Sequence, residues 1–310
     1  MDSESCIETF EEFQEYSKKV EEVRTFLSFL NFTIKQKEKN PNELIIVNAK
    51  IVLYIAAMLI SLIGNSLIIL IICCNRFMRK STNYFILNLA ICDLAILFSC
   101  MWIQLILTKY DNTWLLGELF CKINSFLQMV SIIASVLTLS LISCDRYIGI
   151  VHPLKSKIIT SEISYCLIIA AIWIISILIS LPTFIYRTYT ERKWSDFTER
   201  NCDDLGWPVK LIKDDKGCVL KTTRPLKRIY YTAVVILLFF IPLFIMCVTY
   251  SIMIKKLWSN DINRTTLICS NQSGSIKKKK KVTLMLVLLL FIFFICWYFT
   301  HFELFRDIFK

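Results

Sequence analysis

The chain has 310 residues, of which 55% are hydrophobic and only 6 are glycines. A soluble domain of this length needs far less apolar content, so the composition excludes an ordinary soluble protein and indicates a membrane protein. The formal net charge of +11 does not indicate nucleic-acid binding, because Lys and Arg gather in short loops beside the apolar runs, where membrane topology alone explains them.

Six apolar runs are each long enough to cross the hydrocarbon of a bilayer as a helix, which takes about 20 residues. We call them span one to span six, and they cover residues 43–74, 82–108, 119–151, 163–186, 227–257 and 282–302. The sequence thus predicts an all-α transmembrane helix bundle over residues 44–302. A polar leader, residues 1–43, precedes the bundle, and residues 303–310 form a short end after it.

The basic residues predict the orientation of the bundle. Residues 75–80 between spans one and two contain three basic residues and no acid, and residues 277–281 before span six are all lysine. Such loops stay in the cytoplasm, so the leader is expected outside. Because the leader lacks the apolar middle of a cleaved signal peptide, span one is expected to act as the signal anchor. Asn31 begins an Asn-Phe-Thr triplet that can be glycosylated on the outer side.

The cysteines divide into two groups. Most lie within or against the apolar runs, where thiols behave as small hydrophobes. Cys6, Cys121, Cys202 and Cys218 lie in polar stretches predicted to be outside, where disulfides form. No cysteine spacing resembles a zinc site, and no cofactor is expected.

Polar side chains inside the spans are informative, since hydrocarbon offers them no partner. Asn65 in span one, Asp93 in span two and Ser135 in span three lie well inside their apolar runs. Together they could hold a small cation of the sodium type, or share a proton at mid-bundle. A purely structural polar cluster explains them equally well. Spacings of three and four also place Gln128, Ser131 and Ser135 on one stripe of span three.

The far end of span three carries Asp145, Arg146 and Tyr147. An Arg beside an Asp at the lip of a membrane is costly, which marks a candidate functional site. Asp145 can pair with Arg146 while the bundle is closed, and release of the guanidinium would offer its five donors to a partner. The alternative is an interfacial Arg that extends to water and orients the helix.

Several motifs occur in order along the spans, and together they resemble the rhodopsin-like (class A) G-protein-coupled receptors. They are Gly64-Asn65, Asn-Leu-Ala-x-x-Asp ending at Asp93, Cys121 and Asp145-Arg146-Tyr147 at the two ends of span three, Trp173 and Pro182, Pro242 and Tyr250, and Phe-x-x-Cys-Trp ending at Trp297. The resemblance covers about residues 45–300. It implies the seven-helix receptor fold, here with only six spans present.

In that family the Cys at the head of span three is joined to the loop between spans four and five. The resemblance therefore implies a disulfide between Cys121 and Cys202, with Cys218 as the rival partner. The resemblance also implies that the cysteine left over pairs with Cys6, as in some peptide receptors.

The resemblance also implies an extracellular peptide ligand and a G protein as partners at the plasma membrane. Gln128 stands where amine receptors carry an acid, which argues against an amine and resembles receptors for amidated neuropeptides of the neuropeptide Y, neuropeptide FF, orexin and tachykinin groups. Chemokine receptors come second. The implied ligand-binding residues are Gln128, Ser131, Trp207 and Trp297. The residues implied to contact a heterotrimeric G protein are Asp145, Arg146, Tyr147 and Tyr250.

Two features depart from the family pattern. Phe299 stands where the family has a proline, which should stiffen span six, and the chain ends at Lys310 without a seventh span. Two alternatives therefore stay open. One is a truncated, signalling-dead receptor that binds or retains partner receptors, for example as a dimer, and the other is a six-span channel or transporter. An enzyme is not expected, because no nucleophile-base pair or metal cluster is visible.

Overall fold

The computed structural model describes residues 18–19, 41–78, 81–110, 113–152, 162–193, 198–213 and 219–262, and four single residues further on, 281, 284, 288 and 291. Within these residues, five helices are long and apolar enough to cross a membrane. They correspond to spans one to five. Span six falls almost entirely outside the described residues, as do Cys6, Asn31, Cys218, Trp297 and Phe299.

The helices begin and end within a few residues of the predicted positions. Span one is a single helix, span two and span five are each interrupted by a π-helical segment, and spans three and four are continuous. Their bounds are Pro41–Cys74 for span one, Ser81–Ile96, Leu97–Met101 and Trp102–Lys109 for span two, Gly117–Val151 for span three, Glu162–Tyr186 for span four, and Pro225–Val235, Ile236–Phe240 and Ile241–Ile262 for span five. A short 3₁₀ helix, Arg76–Met78, follows span one.

The loop between spans four and five folds into two antiparallel hairpins, which the all-α prediction did not include. Strand β1, Thr188–Lys193, pairs with β2, Thr198–Asp203. Strand β3, Lys210–Lys213, pairs with β4, Val219–Thr223. Strand β1 contains Thr and Tyr, which favour strands, but it has no apolar face that sequence patterning detects.

Span three is the central helix of the bundle. It packs against spans two, four and five, whereas span one packs against span two. Its 35 residues give a length of about 52 Å at 1.5 Å per residue, well beyond the roughly 30 Å of hydrocarbon. One end carries Cys121 and lies against β1, and we call it the hairpin end. The other carries Asp145 and Arg146, and we call it the Arg146 end.

A buried hydrogen-bonded triad joins spans two, three and four. The Asn88 side chain, 3% exposed, donates from Nδ2 to Thr138 Oγ1 at 2.8 Å. Its Oδ1 accepts from Trp173 Nε1 at 2.9 Å. Thr138 in turn donates to the Ala134 carbonyl at 2.6 Å. Because hydrocarbon offers no alternative partner, these bonds fix the three helices to one another.

Two prolines each remove one backbone donor from an apolar helix. Pro182 lies inside span four, and beside it Thr183 Oγ1 donates to the Ser180 carbonyl at 2.6 Å. Pro242 lies two residues after the end of the π-helical segment of span five, whose shifted hydrogen bonds accommodate the missing donor. The π-helical segment of span two contains no proline, and nothing in the sequence explains it.

We expect Asn88→Ala to lower the free energy of unfolding by about 1–2 kcal/mol, since Trp173 and Thr138 then lose a partner in a medium without water. Thermal unfolding of the purified chain in detergent micelles measures this as a fall in Tm.

The matched control is Asn83→Ala in the same span, because Asn83 Nδ2 donates to the Met78 carbonyl at an exposed position. A hydrogen bond open to water contributes little net stability. Equal falls in Tm for Asn88→Ala and Asn83→Ala would contradict a special role for the triad.

Candidate functional site

A disulfide attaches the first hairpin to the hairpin end of span three. Cys121 and Cys202 are bonded, with their Cα atoms 5.7 Å apart and a sequence separation of 81. The predicted pairing is thereby confirmed. Cys121 is fully buried, and Cys202 and Tyr189 of the hairpin pack against it. Strand β2 therefore sits directly over the start of the central helix.

The loop between spans two and three holds the same hairpin at a second point. The Trp114 backbone N–H donates to the Arg200 carbonyl of β2 at 2.8 Å, and the buried indole Nε1 donates to the Gly117 carbonyl at 2.8 Å. Gly117 has a φ of 77°, a backbone conformation that residues with a Cβ rarely adopt. Trp114 also packs on Ile103 and Cys121. The hairpin is thus fixed both covalently and by a buried indole.

A carboxylate, Asp204, connects the hairpin to spans four and five. Arg187 Nη1, at the end of span four, lies 3.0 Å from Asp204 Oδ1. The Tyr231 hydroxyl of span five donates to Asp204 Oδ2, and Lys227 Nζ lies 3.9 Å from the same oxygen. Arg187 Nη2 also donates to the Cys202 carbonyl at 3.0 Å. One partly buried acid therefore connects three elements, and no sequence pattern distinguishes it from the other acids of the loop.

Trp207 was predicted to contact a ligand, and the structure encloses its ring in protein. The side chain is 2% exposed. Its ring centroid lies 4.3 Å from that of Tyr186, 5.2 Å from that of Tyr230 and 6.1 Å from that of Tyr231. These contacts join the ends of spans four and five. The geometry assigns Trp207 a packing role in this structure, and direct ligand contact stays a prediction.

Gly206 allows this close approach. Its backbone N–H donates to the Tyr186 carbonyl at 3.1 Å. A Cβ at this position would lie 2.6 Å from the Tyr186 carbonyl oxygen and 2.9 Å from Thr188 Cγ2. Only glycine fits between these atoms without displacing backbone.

Beneath the hairpin, span three carries the predicted ligand residues Gln128 and Ser131. Gln128 is half-buried. Ser131 is 2% exposed, and its hydroxyl donates to the Leu127 carbonyl of the same helix at 2.8 Å, which occupies its donor. The ligand-contact role of both side chains stays a prediction, as does that of Trp297, which lies outside the described residues.

At the Arg146 end, Asp145 is bonded to span four in this structure, and its pairing with Arg146 in a closed bundle stays a prediction. Asp145 Oδ1 accepts a hydrogen bond from the Tyr165 hydroxyl of span four at 3.1 Å. Among the described residues, the ion pairs within 4 Å do not include Asp145 with Arg146. The Tyr147 ring instead packs edge-on against His152, with centroids 5.9 Å apart.

Tyr250 of span five completes the Arg146 end. Its hydroxyl lies 2.6 Å from Ser143 Oγ, with either atom able to donate. The ring is buried in an apolar cluster with Phe85, Ile142 and Met253. Span three is therefore held at its foot by one tyrosine from span four and another from span five.

The three residues of the expected cation site, Asn65, Asp93 and Ser135, are not hydrogen-bonded to one another. Asn65 Nδ2 donates within its own helix, to the Ser61 carbonyl at 3.0 Å and to Ser61 Oγ at 3.2 Å. Asp93 and Ser135 are half-buried. The described part of the chain also contains no group of three or more His, Cys, Asp or Glu residues placed to hold a metal ion. A sodium-type site at Asn65, Asp93 and Ser135 stays a prediction.

We expect Gly206→Ala to destabilise the hairpin end by about 1–3 kcal/mol, because the added methyl group overlaps backbone atoms that are held by the disulfide and by Asp204. The readout is the Tm of the purified chain in detergent.

Gly149→Ala in span three is the matched control. A Cβ at Gly149 meets nothing within 4 Å, and Ala favours the helix over Gly by roughly 1 kcal/mol. Its Tm should equal or exceed that of the parent chain. A Gly206→Ala variant as stable as the Gly149→Ala variant would refute the close packing.

The sequence is similar to a known receptor family and to several of its members. The sequence model of the family described as 7 transmembrane receptor (rhodopsin family) matches residues 64–310. The Tachykinin-like peptides receptor 86C of Drosophila melanogaster is 31% identical over 242 residues, which cover 77% of this chain and 45% of that protein. The Cholecystokinin receptor of Xenopus laevis is 29% identical over 225 residues, 73% of this chain and 46% of that protein.

The human Substance-K receptor is 31% identical over 205 residues, 66% of this chain and 47% of that protein. The chain thus spans about half the length of the curated relatives it matches. The matched region includes all five described spans apart from the first part of span one. The chain therefore belongs to the rhodopsin family of seven-transmembrane receptors.

Proposed function

We propose that the protein is a receptor that binds an extracellular peptide and transmits this binding to a heterotrimeric G protein in the cytoplasm. The observation that carries the proposal is the construction of span three. Its head is fixed by a disulfide to a hairpin, and its foot bears Asp145, Arg146 and Tyr147. A single rigid helix thus connects a candidate ligand-binding end with a candidate output end.

The proposed location is the plasma membrane, with the hairpin end and the leader outside. Two independent features support this orientation. The disulfide at the hairpin end needs an oxidising compartment, and the basic residues between spans one and two lie at the opposite end. Asn31 in the leader is then a candidate glycosylation site.

The proposed ligand is an amidated neuropeptide, with a chemokine as the second candidate. The names of three relatives refer to tachykinin-like peptides, cholecystokinin and substance K, which supports a peptide. Gln128 offers an uncharged amide that can donate and accept hydrogen bonds, and we propose that it binds the peptide together with Ser131, Trp207 and Trp297.

At the cytoplasmic face we propose contacts from Asp145, Arg146, Tyr147 and Tyr250 to the G protein. Support comes from the absence, among the described residues, of an ion pair between Arg146 and Asp145. The N–H donors of the Arg146 guanidinium can then bind carbonyl groups of a partner. A peptide that binds the open state of this face more tightly than the closed state would shift the population toward coupling.

The test uses the full chain in lipid nanodiscs, with radiolabelled tachykinin, substance K and cholecystokinin peptides as probes, and purified heterotrimeric G proteins for nucleotide exchange. We expect at least one peptide to bind and to stimulate exchange. Arg146→Ala should reduce stimulated exchange at least tenfold and change the peptide Kd less than threefold, because the residue lies about 27 Å along the helix from Gln128.

Gln128→Ala should weaken peptide binding about tenfold, equivalent to about 1.4 kcal/mol. Gln104→Ala is the matched control, since Gln104 is exposed on span two. Peptide binding without exchange would favour a binding-only protein that associates with other receptors. Ion flux through proteoliposomes without any peptide would favour a channel or transporter and refute the receptor.

A further inference from the structure

Tyr165 of span four contacts the output end of span three through its hydroxyl. It lies near the start of the helix Glu162–Tyr186, 20 residues after Asp145 in sequence. Its hydroxyl donates to Asp145 Oδ1 at 3.1 Å. A hydrogen bond to an ionised oxygen is roughly twice as strong as one between neutral groups. Tyr165 is therefore a specific partner of this carboxylate.

The Tyr165 ring is held in one position by its surroundings. The side chain is 6% exposed, and its ring centroid lies 5.0 Å from that of Phe85 in span two. It belongs to the same buried cluster as Ile142, Met246 and Tyr250. A hydroxyl on a fixed ring presents its donor in a fixed direction, so Asp145 must turn toward span four to meet it.

Asp145 has two candidate partners, the hydroxyl of Tyr165 and the guanidinium of the neighbouring Arg146. In this structure it bonds to Tyr165, and within the described residues it makes no ion pair with Arg146 inside 4 Å.

We propose that Tyr165 is a positioning residue for the output end: its hydroxyl competes with the Arg146 guanidinium for the Asp145 carboxylate and keeps Arg146 unpaired. Removal of the hydroxyl lets Asp145 turn to Arg146. The competition itself is a property of these three side chains. Its consequence for signalling rests on the proposed function, and loss of the hydroxyl would then lower exchange in the absence of ligand.

The direct test measures how fast Arg146 reacts with phenylglyoxal, a reagent for unpaired guanidinium groups, in the full chain in nanodiscs. Mass spectrometry of the digested chain quantifies the product, with exposed Arg76 as the internal reference. In Tyr165→Phe, which keeps the ring and its packing, the Arg146 rate should fall at least threefold. In the double variant Tyr165→Phe, Asp145→Asn the rate should return to the parent value.

Tyr84→Phe is the matched control, because Tyr84 is a half-buried tyrosine at the same end of the bundle, in span two. Its substitution should leave the Arg146 rate unchanged. The single variant Asp145→Asn tests the proposal without altering Tyr165, and its Arg146 rate should match that of the parent. An unchanged rate in Tyr165→Phe, or a raised rate in Asp145→Asn, would overturn the competition.

Exchange on a purified G protein without ligand, measured for the same variants, separates the inference from the proposed function. We expect a two- to fivefold lower rate in Tyr165→Phe than in the parent and Tyr84→Phe. If the parent chain catalyses no exchange while the phenylglyoxal pattern holds, the proposed function fails and the competition stands. If exchange falls while Arg146 reactivity does not change, Tyr165 acts through packing and the competition is wrong.

Discussion

The amide of Asn88 sets the geometry of the bundle, because it lies where neither water nor lipid can satisfy it. Its two hydrogen bonds, to Thr138 and from Trp173, can be made together only when three helices stand in one arrangement. Apolar packing alone tolerates small rotations of a helix, whereas paired donors and acceptors do not. Span three is thereby fixed in rotation as well as in position. The directions in which the residues at its hairpin end and its Arg146 end project are fixed with it.

The two ends of span three are held by different kinds of interaction. At the hairpin end, a covalent bond, a buried indole and the Asp204 cluster hold the protein surface together. At the Arg146 end, single hydroxyl groups of Tyr165 and Tyr250 provide the hydrogen bonds to neighbouring helices. A single hydrogen bond can exchange partners at small net cost in free energy. The fold thus places its rigid construction at one end and its exchangeable contacts at the other.

The spans are predictable from the sequence because an apolar run of sufficient length forms a helix in a bilayer. The Cys121–Cys202 bond was also anticipated, although only family resemblance favoured Cys202 over Cys218. Contacts between segments that are distant in sequence are harder to predict from the sequence alone. The pairing of Asp145 with Arg146 was inferred from adjacency, and Tyr165 could not have been chosen over other tyrosines without knowing how span four packs. Asp204 was missed for the same reason, since its partners come from three separate elements.

Span four carries three buried hydroxyl groups, those of Ser176, Ser180 and Thr183, that each donate to a carbonyl of their own helix. This helix can therefore enter the bilayer by itself with those groups already satisfied. The Asn88 amide of span two and the Trp173 indole of span four, by contrast, find their partners only on other helices. These two groups are satisfied only once spans two, three and four have packed together.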